Sequence, residues 1–227
     1  MNNDSHSDVF KKGFLALGVL AAVGLVGYGL ACIIVMPQVS PGAFVPTTLD
    51  TRAGTPPHFG TVQAAFVLLY AFAFLPVSIL FTVKRYRRNP YALVLAGSLI
   101  GASFLIEIFN NLPLVALGIY PGKLAYVSTD ILLYLRQVET IRYLSYDVAG
   151  FTLAYVVVFV YAIVYFRSHR LLSYTVIGSI VLFIANVPCL WFAPNLAVIL
   201  MAMSIFALTP VPIFLARMAT NDSTPGG

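Results

Sequence analysis

The chain has 227 residues, of which 60% are hydrophobic and 9% charged, with a formal net charge of +5. Soluble domains carry roughly 25% charged residues, so a water-soluble globular fold is excluded and lipid is the solvent for most of the chain. The positive charges gather at the ends of apolar segments, which marks topology and excludes a basic nucleic-acid patch.

The N-terminal stretch 1–12 reads as a polar tail ending in Lys11 and Lys12. The apolar run Gly13–Met36 follows. A signal-peptide core is shorter, about 7–15 residues, and ends at a small-residue cleavage site; the run therefore predicts an uncleaved first span. Gly29-Leu30-Ala31-Cys32 partly fits a lipoprotein cleavage box, but its leucine is displaced and Ile33, Ile34 and Val35 carry the run onward. Residues 37–61 are rich in Pro, Gly and Thr and predict an irregular external loop.

Five more apolar segments predict spans: Val62–Val83, Tyr91–Gly118, Val148–Phe166, Leu171–Ala193 and Leu196–Leu215. Each is close to the ~20 residues a helix needs to cross the hydrocarbon layer. Between the third and fourth, residues 124–146 carry Val127, Ile131, Leu135, Val138 and Ile141 at helical spacing. That pattern predicts an amphipathic helix on the outer membrane surface, or a lid or partner-docking helix over the outer mouth of the bundle. The fold class is thus an all-α bundle of six transmembrane helices, residues 13–217, with a short tail at 218–227.

Nine basic residues, among them Lys11, Lys12, Lys84, Arg85, Arg170 and Arg217, fall on one side, and four, Arg52, Lys123, Arg136 and Arg142, on the other. The excess predicts the first side as cytoplasmic. The expected location is the inner (plasma) membrane, multi-pass, with both termini cytoplasmic.

Two hairpins echo one another. Arg87-Arg88, Tyr91, Gly97-Ser98 and Asn111-Leu112-Pro113 resemble Arg167 and Arg170, Tyr174, Gly178-Ser179 and Asn186-Val187-Pro188. A duplicated hairpin would give a parallel internal repeat.

Glu107 lies deep in the third apolar run. A carboxylate there costs at least ~2.5–3.5 kcal/mol, so it faces a protein interior or a wet cavity. Ser103, Glu107 and Asn110 or Asn111 are spaced to share one helix face. At ~1.5 Å per residue, Glu107 and Asn186 fall in the same outer layer, which Asp147 enters at the start of the fourth span. Pro113 and Pro188 free the carbonyls of Phe109 and Ile184 beside those amides. Glu107, Asn110, Asn111, Asn186 and Asp147 are therefore the candidate ligand or proton site. The competing reading is bundle glue, with a neutral Glu107 hydrogen-bonded to Asn186. Gly97 and Gly101 form a Gly-x-x-x-Gly helix-packing pattern.

Cys32 and Cys189 give neither a disulfide framework nor metal-ligand spacing, and His6, His58 and His169 fall outside the spans. No metal and no cofactor is expected, and none of the common catalytic motifs occurs. Three functions follow: a membrane protein that binds or passes a small or lipophilic ligand; an accessory subunit or scaffold held by a membrane protein partner or a homo-oligomer; or an intramembrane lipid- or isoprenoid-modifying enzyme using Glu107 and Asp147.

With these residues in hand, the order of spans resembles a bacterial integral-membrane family of unknown function. The shared features are the acidic Glu107 in the third span, Asp147 opening the fourth, and the basic turn Tyr165-Phe166-Arg167-Ser168. The resemblance covers Val62 to Ala193. It implies topology and no activity.

Overall fold

The computed structural model describes residues 3–35, 58–85, 90–119, 149–150, 152–165 and 168–220. In lipid, a spanning segment must satisfy its backbone polar groups internally, and apolar runs of this length do so as helices. The described elements are α1 (Asn3–Val35), α2 (His58–Arg85), α3 (Pro90–Ile119), α4 (Thr152–Tyr165), α5 (Arg170–Phe192), α6 (Pro194–Leu208) and α7 (Pro210–Thr220).

Among the described residues, four stretches are long and apolar enough to cross a membrane: Asp8–Ile34, Val62–Arg85, Pro90–Phe109 and Leu196–Thr220. Thr152–Tyr165 and Arg170–Asn186 are shorter apolar helices. The predicted surface helix 124–146 and Asp147 lie outside the described residues.

Four boundaries differ from the sequence reading. α2 starts at His58, so the last four residues of the predicted loop 37–61 are helical; the rest of that loop lies outside the described residues. The predicted N-terminal tail is helical from Asn3, and Lys12 meets Asp8 one turn back at 2.8 Å. The C-terminal tail starts later than expected, because α7 runs to Thr220 with Met218, Ala219 and Thr220 buried. The last apolar run is two helices, α6 and α7, divided at Thr209. Pro210 has no N–H to give the carbonyl of Phe206; the Thr209 N–H takes that carbonyl at 3.1 Å.

α1 packs on α2, α6 and α7, α3 packs on α2, and α5 packs on α6. α4 contributes Val157, Tyr161 and Tyr165 to the buried core. Phe81 of α2 lies edge-on to Tyr161 at 5.1 Å and beside Tyr165 at 5.4 Å, and Tyr161 and Thr82 hydroxyls meet at 3.3 Å. Ser173 of α5 donates to the Ala162 carbonyl of α4 at 2.9 Å.

The C-terminal ends of α2, α4 and α7 share one end of the bundle with the start of α5. Arg85 donates from Nη2 to the Met218 carbonyl at 2.8 Å, and the His169 and Phe214 rings meet at 4.8 Å. The early part of α1 joins them, since Gly18 abuts Ala216 and Pro212.

Candidate functional site

The buried polar stripe of α3 is the centre of the site. Ser103, Glu107 and Asn111 are 4%, 4% and 1% exposed. Spacing by four puts them on one face, as the sequence predicts. Asn111 donates from Nδ2 to the Glu107 backbone carbonyl at 2.9 Å and to Glu107 Oε2 at 3.0 Å. One amide therefore orients the carboxyl from the next turn.

The other wall is Gly150, in the helical turn that leads into α4. Ser103 donates to the Gly150 carbonyl at 2.9 Å. A Cβ built on Gly150 would lie 2.3 Å from Glu107 Oε1 and 3.1 Å from its Cδ. Real side chains do not approach so closely, so the glycine makes room for the carboxyl. Tyr70 of α2 packs near this stripe, its ring 6.2 Å from that of Phe104. Glu107 thus sits between α3 and the approach to α4.

Of the other candidates, the structure describes the side chain of Asn186 alone. Asn110 belongs to the α3 backbone, but its side chain lies outside the described residues, as does Asp147. The proposed Glu107–Asp147 acid–base pair therefore has no described geometry. Asn186 is buried in α5, 6% exposed, and donates from Nδ2 to Met201 Sδ of α6 at 3.6 Å. Its described hydrogen bond therefore runs to α6, and none among the described residues joins it to Glu107. Depth along a helix fixes the level of a side chain, not the neighbour it faces.

The glycine pattern of α3 also divides. Gly97 meets Thr82 of α2 at ordinary contact distance, 3.4 Å, while nothing lies within 4 Å of a Cβ on Gly101. A closer approach to another helix's backbone is seen in α1, where a Cβ on Gly24 would lie 2.6 Å from the Tyr70 backbone nitrogen.

A second polar cluster escaped the sequence reading. Tyr155 of α4, Ser179 of α5 and Ser204 of α6 are buried together, with the Tyr155 hydroxyl against Ser204 Oγ. The serines exchange hydrogen bonds with each other's carbonyls, Ser179 to Ser204 at 2.7 Å and Ser204 to Ser179 at 3.0 Å. Ser98, its counterpart in the hairpin echo, is exposed, and its described hydrogen bond runs back to Val94 in its own helix. The echoing positions therefore have different environments. Ser179→Ala lowers the thermal midpoint in detergent, a loss of about 1–2 kcal/mol, whereas Ser98→Ala leaves it unchanged. Equal shifts in a thermal scan would contradict the assigned seam.

Among the described residues no cluster of His, Cys, Asp and Glu could hold a metal ion. Comparison with protein-family models, with curated proteins and with solved structures matches nothing to this chain.

Proposed function

We propose that this chain is a six-span protein of the inner (plasma) membrane, with both termini cytoplasmic, that binds or passes a small or lipophilic ligand at Glu107. In this reading α4 and α5 complete the spans, and α6 with α7 forms the sixth. The observation that carries the proposal is the setting of Glu107: a carboxyl 4% exposed, oriented by Asn111 and accommodated by a glycine on the facing element. A buried carboxyl in a lipid-spanning bundle is costly and marks ligand, proton or ion sites. Glu107 is the protonatable group, able to accept a hydrogen bond when ionised and to donate one when neutral. Asn111 holds its angle.

Native mass spectrometry of wild type and Glu107→Gln, released from lipid nanodiscs, tests this. Glutamine keeps the shape and an acceptor for Asn111, so the variant inserts and folds. The expected result is a small molecule or lipid retained by wild type and lost by the variant. Identical spectra would make Glu107 a structural contact.

A second reading rests on the outward face of α3. Leu105 and Phe109 are 58% and 70% exposed, and Gly101 beside them has open space. An accessory subunit would seat a partner helix there, and Gly101→Leu would then abolish co-purification of that partner.

A further inference from the structure

Two buried polar positions of the α5–α6 seam are served unequally. Ser179 and Ser204 donate to each other's carbonyls, and the Tyr155 hydroxyl closes that cluster. Asn186 lies about two helical turns further along α5 and is 6% exposed. Its Nδ2 donates to Met201 Sδ at 3.6 Å. A thioether is a weak acceptor with no proton to give, so the sulfur takes the nitrogen end of the amide and leaves the oxygen end over. Asn186 Oδ1 is buried and has no hydrogen-bond partner among the described residues. A buried acceptor left unpaired destabilises the fold that carries it, so packing alone gives no reason for an asparagine here.

The surroundings define what satisfies that oxygen. It requires a hydrogen-bond donor. The donor is neutral, because α5 beyond Arg170 and the whole of α6 carry no Asp, Glu, Lys, Arg or His to balance a charge. It rides on an apolar body, since the outward residues of both helices are apolar, with Ile184 62% and Ile199 51% exposed. The way in is past Met201, which is half-buried. An unbranched side chain with three rotatable bonds rearranges readily, and the described polar contact of Met201 is the weak N–H···S bond.

We infer that Asn186 and Met201 form a second site, in the α5–α6 seam, that takes the hydroxyl of a neutral lipophilic alcohol. The hydroxyl donates to Asn186 Oδ1, Met201 swings aside to admit it, and the alkyl chain lies against the apolar helix faces. The inference does not rest on any ligand at Glu107.

The full-length protein, stripped of lipid in a non-ionic detergent, is melted in the presence of 1-dodecanol or of dodecyl methyl ether, which has the same chain and no donor. A ligand of the folded state raises the thermal midpoint by mass action. Wild type is expected to melt higher with dodecanol than with the ether. Asn186→Leu keeps the size and deletes the unpaired acceptor, so without either probe it melts no lower than wild type, and it responds to the two probes alike. Glu107→Gln keeps the preference for the alcohol, which separates this site from the one above. A lower midpoint of Asn186→Leu without probe would make Asn186 helix glue. An equal response of wild type to both probes would leave the oxygen to a buried water. A preference kept by Asn186→Leu, or lost in Glu107→Gln, would put the alcohol elsewhere. Each of these results overturns the assignment.

Discussion

Gly24→Ala lowers the thermal midpoint of the protein in detergent, whereas Gly101→Ala raises it. Both positions are glycines inside helices, where alanine is intrinsically favoured by roughly 0.5–1 kcal/mol. Their surroundings give the substitutions opposite signs. A Cβ on Gly24 would lie 2.6 Å from the backbone nitrogen and 2.9 Å from the Cα of Tyr70, and 2.9 Å from the carbonyl oxygen of Phe66. These are main-chain atoms of α2, so no side-chain rotation relieves the overlap, and α1 and α2 must separate. Overpacking of this kind costs typically 1–3 kcal/mol, which exceeds the gain in propensity. At Gly101 a Cβ meets nothing within 4 Å, so the propensity gain stands alone. Thermal unfolding followed by size-exclusion fluorescence reads both variants. A rise at Gly24 would remove the close α1–α2 approach from the account. A fall at Gly101 would mean that a partner covers that face, which is the scaffold reading.

The same contrast shows what one chain of residues can reveal about its own fold. The apolar runs located the helices because hydrocarbon leaves few alternatives for a spanning backbone. The Ser103, Glu107 and Asn111 stripe was legible because helical spacing is local. The helix ends that carry Arg85, Arg170 and Arg217 meet in space, and the early part of α1 joins them. What stayed hidden depends on long-range pairing. Gly101 fits a packing pattern but faces open space, and Gly24, which does touch another backbone, sat among other small residues with no distinguishing mark. Asn186 lies at a suitable depth for Glu107 but turns to Met201. Ser179 and Ser204 look like ordinary small residues until α5 and α6 are packed together. Pro210 was visible, yet prolines such as Pro76 and Pro188 lie within continuous helices, so proline alone did not announce the break at Thr209.

Gly150→Ala is expected to be among the most damaging single-methyl changes in the protein, and its damage should disappear when Glu107 is truncated. The added Cβ falls 2.3 Å from Glu107 Oε1 and 3.3 Å from Ile106 Cγ2. The second contact is tight but can relax by a few tenths of an ångström. The first cannot persist, and the carboxyl has little freedom to retreat, because Asn111 holds Oε2 at 3.0 Å. Either α4 moves away, breaking the 2.9 Å bond from Ser103 to the Gly150 carbonyl, or the carboxyl leaves Asn111. Both routes cost about 1–3 kcal/mol by overpacking or by loss of a buried hydrogen bond. In a Glu107→Ala background the obstructing oxygen is gone, so the same methyl group becomes nearly neutral. The double-mutant cycle should therefore show a coupling of about 0.5–3 kcal/mol, read from thermal or denaturant unfolding in micelles. Strict additivity would mean that Gly150 and Glu107 are not neighbours and that the wall of the site is wrongly assigned. Ligand retention separates packing from function in the same pair. If Glu107 binds a ligand in a fixed orientation, Gly150→Ala loses that ligand although the carboxyl is still present. A purely structural carboxyl would leave the two backgrounds differing in stability and in nothing else.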